Sequence, residues 1–460
     1  MAVSSEIPDK QRVLILQGGG ALGAYQVGAF KALAEELPKM DANRGETNRP
    51  LFDIVAGTSI GAINAAILVS HFKQNNGWKG AFEKLEEFWN YISFDTSHAV
   101  DSDISWWESD HKNDENAASV EAARRYYSAK FFLKNGTPHV FSYPEFKEDD
   151  RFFDYSISLP NNQWFLYSNE ELKRTICDSG FAKFPISTTI GEPRLLIVST
   201  DVGDGATVTF DSYLPESKYG RVDERSGKYL EHTIKHNQGI EVSHVMASAC
   251  IPLFYNYEEI DGRKFWDGGV LSNTPLREVI HMHRYYWYDK IGKREPGSKV
   301  PNLEIYIIGV WPSSEDGDSV NKDNAIPSDY DGLKAKFYDI NLSDKTEYDE
   351  KSATMVSDLI EIIGNIRSLA PKHMNLDQQK EFDMILQDFL KRDAQSKSRD
   401  GEKRSYGSLL NGRVKLDKVV RIELRESKND ISNKAFDLSA ITTKNLMEQG
   451  EKDTKYILKD

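Results

Sequence analysis

The stretch Phe52-Asp-Ile-Val-Ala-Gly-Thr-Ser-Ile-Gly-Ala-Ile-Asn64 constrains this chain more than any other. Phe52 to Ala56 is a short apolar run of β-favouring residues, and small and apolar residues continue from Gly61 to Phe72. The pattern predicts a strand, a sharp turn and a helix, with Ser59 at the apex. Gly57-Thr58-Ser59-Ile60-Gly61 has the Gly-x-Ser-x-Gly form of a nucleophile elbow. Such a turn strains the backbone of its serine. Side chains two positions either side would collide, so glycine is needed at Gly57 and Gly61. The hydroxyl then sits at a helix N-terminus, where free N–H groups and the helix dipole favour developing negative charge. The pentapeptide alone also occurs in ordinary turns; the strand before it and the helix after it are what point to nucleophilic catalysis.

A glycine loop precedes the elbow. Val13 to Leu16 reads as a buried strand, Gly18-Gly19-Gly20-Ala-Leu-Gly23 as the loop, and Ala24 to Leu37 as a helix. Two readings compete for it. Gly18, Gly20 and Gly23 fit the spacing of a dinucleotide-binding fingerprint. That fingerprint also requires an acidic residue ending the second strand, and the candidates Glu35, Glu36 and Asp41 fall in a helix or in the polar loop after it. The other reading is an oxyanion hole, in which glycines let backbone N–H groups converge without side-chain obstruction. An elbow on the next strand favours the second.

Further along, Trp78 to Tyr91 has an apolar helix face at Phe82, Leu85, Phe88 and Trp89. Residues 93–190 then mix aromatics with charges, as in Ile104-Ser-Trp-Trp107, Phe131-Phe132, Phe152-Phe153 and Trp164-Phe-Leu-Tyr167, with one helix expected from Ala117 to Ala129. This region reads either as an insertion covering the site, with a lipid-facing surface, or as a subsidiary aromatic core. Regular structure is expected again at the strand Arg194–Thr200, its hairpin neighbour Thr207–Phe210, the helix Val242–Ala249, and the strands Lys264–Trp266 and Leu303–Val310. Residues 12–310 therefore form the expected catalytic domain. Residues 311–460 form a C-terminal extension with helices near Ser352–Ser368, Leu376–Arg392 and Thr442–Gln449, and a strand at Val419–Leu424 that fits the edge of the sheet.

A formal net charge of −14 disfavours nucleic acid as a partner and leaves a membrane surface only a peripheral role. The only cysteines, Cys177 and Cys250, build no disulfide framework and no cysteine-based zinc site, which suits a reducing compartment. The apolar run after Lys10 and Arg12 ends within four residues, too short for a signal peptide, and no window is long enough for a transmembrane helix. A cytoplasmic chain is expected. Its oligomeric state is not legible.

A serine nucleophile needs a base. Asp267 follows the apolar run Phe265-Trp266 and precedes Gly268 and Gly269. Loops at strand ends are where α/β enzymes gather reactive groups, although Asp-Gly is also a frequent turn. A triad in the order Ser, Asp, His would draw on His281, His283 or His373, and His244 lies before Asp267. None of these occupies a strand end. Without a histidine, Asp267 must accept the Ser59 proton itself.

Taken together, these segments resemble the patatin-like phospholipases and lipid acyl hydrolases. Gly18 to Gly23 is similar to their oxyanion loop, Gly57 to Gly61 to their elbow, and Asp267-Gly268-Gly269 to their Asp-Gly-Ala/Gly motif. Ala247-Ser-Ala-Cys-Ile-Pro252 is similar to the segment preceding that motif, and the resemblance spans roughly residues 12–278. It implies a three-layer α/β/α sandwich with a mostly parallel sheet, a Ser59–Asp267 dyad, and hydrolysis of lipid acyl esters with no metal and no cofactor. Gln17 stands where many members carry Asp, and Leu22 where many carry Arg or Lys, which weakens the case for a phosphate headgroup. The competing reading is a non-catalytic lipid- or protein-binding module that keeps the fold.

Overall fold

The computed structural model describes residues 7–46, 49–96, 117–143, 165–213, 233–234, 238–293, 295, 298–312, 330–397, 403–425 and 431–459. Within these, the strand order of the main sheet is β11-β8-β1-β2-β3-β4-β5. The strands are β1 (Lys10–Leu16), β2 (Ile54–Thr58), β3 (Arg194–Asp201), β4 (Ala206–Asp211), β5 (Thr233–Ile234), β8 (Asn302–Gly309) and β11 (Leu416–Glu423), while β9 (Asp393–Lys397) and β10 (Lys403–Ser405) pair with each other apart from this sheet. From β11 to β3 all neighbours pair parallel. β4 and β7 (Arg263–Asp267) both pair antiparallel with β3, and β7 pairs with β6 (Glu258–Ile260). The expected α/β class with a mostly parallel sheet is the one observed.

The alternation of β1 explains the layers. Leu14 and Leu16 face one core with α1 (Ala24–Asn43), α2 (Ile60–Asn75) and α3 (Ala81–Ile92). Val13 and Ile15 face a second core with Leu276, Val279 and Met282 from the helix Leu276–Arg284. Side chains alternate along a strand, so a sheet buried on both faces reads as a continuous apolar run. Parallel pairing forces helical crossovers, and these supply the covering layers.

Three expectations change in detail. The helix expected to end at Leu37 continues through Pro38 to Asn43. Asp41, expected in a polar loop, is buried on that last turn and accepts two hydrogen bonds from the Arg12 guanidinium at 2.6 and 3.0 Å. A buried, bidentate pair of this kind holds a turn that sequence propensity would end. Second, the described aromatics of 93–190 do not form a separate core: Phe132, Phe141 and Tyr167 are buried in the main one. Ile104-Ser-Trp-Trp107, Phe152-Phe153 and Trp164 lie outside the described residues. Third, the helices Glu170–Asp178 and Tyr330–Leu342 escaped the sequence reading. Among the described residues, no helix is long and apolar enough to cross a membrane.

The C-terminal stretch is woven into this framework. β11 pairs in register with β8, placing Ile422 opposite Ile308 at the edge of the sheet. The helix Ala440–Ile457 lies against α1, where a side chain at Gly28 or Gly450 would collide with the other helix's backbone.

Candidate active site

Ser59 caps α2 with φ 57° and ψ −126°, a left-handed backbone that L-residues rarely adopt. A side chain at Gly57 would run into the Gly61 carbonyl, and one at Gly61 into the Leu16 carbonyl. Glycine at Gly57 lets the strand-to-helix turn close, and glycine at Gly61 lets α2 start close against β1. The side chain of Ser248 braces it: its Oγ accepts the Ser59 N–H at 2.9 Å and donates to the Val198 carbonyl at 2.5 Å. The Thr58 hydroxyl donates to the Ser272 carbonyl at 3.0 Å, tying the elbow to the loop after β7.

Asp267 ends β7, where its carboxylate accepts the Gly269 N–H at 2.7 Å and its own N–H donates to the Cys250 carbonyl at 2.8 Å. A side chain at Gly268 would strike the Val198 carbonyl, so that glycine lets the loop cross β3 closely. Burial pushes the Asp267 carboxyl up to about 6, while hydrogen bonding with Ser59 and the Gly269 N–H acts to lower it. Ser59 and Asp267, distant in the chain, thus line the same cavity.

The glycine loop divides by role. The Gly18 N–H is spent on the Asn273 carbonyl at 3.2 Å. The Gly18 carbonyl is held by Trp311 Nε1 at 2.8 Å and Asn273 Nδ2 at 3.1 Å. Gly23 lies off the cavity wall, where a side chain would crowd Ile60 and Trp89. Gly19 and Gly20 line the cavity beside Ser59, and no hydrogen bond engages either N–H among the described residues. Gly20 has φ 56°, which favours glycine, and a side chain there would meet the Ala435 carbonyl.

Ser59, Asp267 and Gly18 to Gly20 share one cavity of about 300 Å³. Among the described residues, no histidine lines it or the smaller cavity that also borders Ser59. His244 is buried in the helix Val242–Ser248, its Nδ1 accepting the Glu241 N–H at 2.7 Å. His283 is buried against the Pro301 carbonyl at 2.7 Å, and burial pushes it down to about 3. His281 lies on the same helix as His283, and His373 ends the helix Glu347–His373.

Three neighbours of the site went unread in the sequence, and a fourth, Gln17, stood out only as a departure from the family pattern. Ser248 sat in plain view inside Ala247–Pro252, but only its bonding reveals its place. Asn273 and Trp311 reach Gly18 across separations of 255 and 293 residues. Gln17 accepts the Val310 and Trp311 N–H groups at 2.7 and 3.0 Å and donates to Thr274 Oγ1 at 2.9 Å. An amide can accept and donate at once, whereas an ionised Asp could only accept. The departure at Gln17 thus has a structural use here.

A family model described as Patatin-like phospholipase matches residues 14–280. No curated protein matches the chain. Among solved structures, the crystal structure of VipD from Legionella pneumophila aligns at 12% identity and a TM-score of 0.31, covering 98% of this chain and 67% of that one.

Proposed function

This chain belongs to the patatin-like phospholipase family, and we propose that it hydrolyses lipid acyl esters through a Ser59–Asp267 dyad. Ser59 Oγ attacks the ester carbonyl while Asp267 takes its proton. The N–H groups of Gly19 and Gly20 receive the negative charge that develops on the carbonyl oxygen. Collapse breaks the bond to the alcohol, which leaves with the proton from Asp267 and leaves acyl-Ser59 behind. A water molecule, activated by the same carboxylate, then releases the fatty acid.

The observation that carries this reading is the meeting of Ser59, Asp267 and two unengaged glycine N–H groups in one cavity. An ordinary aspartate, near 3.9, is a poor base for an alcohol. Held up at about 6, Asp267 is better matched to proton transfer near neutral pH. Among the described residues, the cavity wall carries Asp267 and no cationic side chain. No described cation on it pairs with a phosphate, which favours acyl esters in general over phospholipids in particular.

The test is stoichiometric labelling by a fluorophosphonate probe, followed by a lipid hydrolysis screen of wild type against Ser59→Ala. The reading expects one label per chain, lost in the variant, together with ester hydrolysis that depends on Ser59. A chain that neither labels nor hydrolyses, yet binds lipid or protein, is the non-catalytic module instead.

A further inference from the structure

The helix Tyr330–Leu342 is built inside out. An ordinary surface helix turns an apolar stripe to the core and its charges to water. Here the exposed positions are Tyr330, Leu333, Phe337, Ile340 and Asn341, and the first four, spaced by three, four and three residues, form one stripe. The charged residues Asp331, Lys334, Lys336 and Asp339 are half-buried or buried instead. Three of them are held by the segment 432–434. Asp331 Oδ1 accepts Ser432 Oγ at 2.5 Å, Lys334 Nζ donates to Asn433 Oδ1 at 3.2 Å, and Asp339 pairs with Lys434 at 2.7 Å. The Leu342 carbonyl accepts Asn273 Nδ2 at 2.7 Å and Gln17 Nε2 at 3.2 Å, which ties the end of the helix to the glycine loop. These polar contacts fix which way the helix faces, and the apolar stripe is what they leave outside.

The stripe reaches the site. Phe337 is 62% exposed and also lines the cavity that holds Ser59 and Asp267; Val270, 48% exposed, does the same. Both therefore stand at its opening. Leu271 follows Val270 and is exposed as well. Leu253, between the cavity-lining Pro252 and Phe254, is 70% exposed with φ 69°. A left-handed backbone is costly for a leucine and persists only where its surroundings impose it. Exposure and strain both count against Leu253 in a chain that meets only water. The helix Glu347–His373 also exposes Leu359, Ile362 and Ile366, but none of these lines the catalytic cavity.

We infer that the stripe of Tyr330–Leu342, with Leu253, Val270 and Leu271, docks onto an uncharged lipid surface and opens the catalytic cavity into it. The choice of occupant rests on the Ser59–Asp267 reading and deepens it. A lipid ester must leave its aggregate to reach Ser59. With an apolar rim seated in the aggregate, its acyl chain passes from lipid to cavity without crossing water. Contiguous exposed apolar surface marks an interaction face, and this one surrounds the entrance to the chemistry. The formal net charge of −14 repels anionic headgroups, and the stripe itself carries no cation. Docking therefore draws on buried apolar area alone, which selects a zwitterionic or neutral surface.

The experiment measures co-sedimentation with phosphatidylcholine vesicles, and hydrolysis of dissolved p-nitrophenyl butyrate against p-nitrophenyl laurate carried in the same vesicles. Wild type should bind, and added salt should not release it. The double variant Leu333→Glu/Ile340→Glu places two carboxylates on the stripe, at positions that do not line the catalytic cavity, in a residue suited to a helix. It should bind vesicles at least about a hundredfold more weakly, roughly tenfold for each side chain no longer buried. Laurate hydrolysis should fall in proportion while butyrate hydrolysis is unchanged. Melting temperatures establish that the variant is folded. Should it not fold, Leu253→Asn decides, since asparagine accepts a left-handed backbone, and its binding should weaken about tenfold. Wild type that does not bind, or a folded variant that binds equally well, overturns the inference. A wild-type dimer that ignores vesicles and separates in the double variant makes the face a contact between copies, and overturns it too. Ser59→Ala should bind vesicles like wild type and hydrolyse neither ester; if it hydrolyses them, the dyad falls while the docking face stands.

Discussion

The side-chain oxygen of Ser248 accepts the backbone N–H of Ser59 at 2.9 Å while donating its own proton to the Val198 carbonyl at 2.5 Å. One buried hydroxyl therefore fixes the backbone of the elbow to the strand beside it. Ser248→Ala leaves a buried donor and a buried acceptor unpaired, a loss of about 1–3 kcal/mol of stability. The elbow should also loosen. kcat should fall about tenfold or more with KM little changed, as expected when an interaction that orients the nucleophile is lost. Steady-state kinetics on the folded variant decide this. Unchanged kcat would leave Ser248 a purely structural residue.

Ser59→Ala should fold normally and lose p-nitrophenyl ester hydrolysis. Its hydroxyl is not among the bonds that brace the turn, so the backbone keeps its support. Retention of more than about a hundredth of wild-type kcat would point to another nucleophile, since losing one costs far more than that.

Gly19→Ala and Gly20→Ala should each lower kcat by roughly a hundredfold, the usual cost of one oxyanion donor. At Gly19 the new methyl group meets Val310, and at Gly20 it meets the Ala435 carbonyl on a left-handed backbone. Either displaces the local amides. If the loop instead bound a dinucleotide, calorimetry would find tight NAD(P) binding, and the hydrolase reading would fail.

Asp267→Asn should lower acylation by several orders of magnitude, because an amide cannot accept the Ser59 proton. Burial makes a second expectation possible. The folded-state value, about 6, lies above the unfolded value near 3.9, so folding favours the protonated form. Stability from this group is present below the unfolded value and lost as pH rises through about 6. At pH 7 the ionised carboxylate is therefore a net cost, on the order of 1–3 kcal/mol. Asp267→Asn should melt no lower than wild type at pH 7 while losing activity. The wild-type activity should fall away below about pH 6 as Asp267 gains its proton. A variant that melts well below wild type would mean that the carboxylate is structural.

His244, His281, His283 and His373 should each tolerate replacement by Gln with activity within about tenfold, the scale of indirect packing effects. His283→Gln retains a donor for the Pro301 carbonyl, which separates chemistry from folding. If one histidine variant with unchanged circular dichroism and melting temperature loses all hydrolysis, a triad replaces the dyad.

The sequence by itself determined the elements whose physics is local. The need for glycine at Gly57 follows from a turn too tight for a Cβ, and its clash with the Gly61 carbonyl is the one the spacing implied, whereas Gly61 is held to glycine by the Leu16 carbonyl of β1. The apolar runs of β1, β3 and β8 read as buried strands, and the parallel sheet was what the family resemblance implied. The edge strand β11 was legible as a strand because its alternation is local. Only the tertiary structure decided what depends on groups far apart in the chain. It folded Pro38 into α1 because Asp41 found Arg12. It spent the Gly18 N–H on Asn273 and left those of Gly19 and Gly20 unengaged. It raised Asp267 toward 6, since burial is a property of everything packed around a carboxylate and not of its neighbours in sequence. And it brought Phe436 beside Ser59, because a cavity wall is assembled by whichever segments pack there, and no periodicity in one segment records its partner in another.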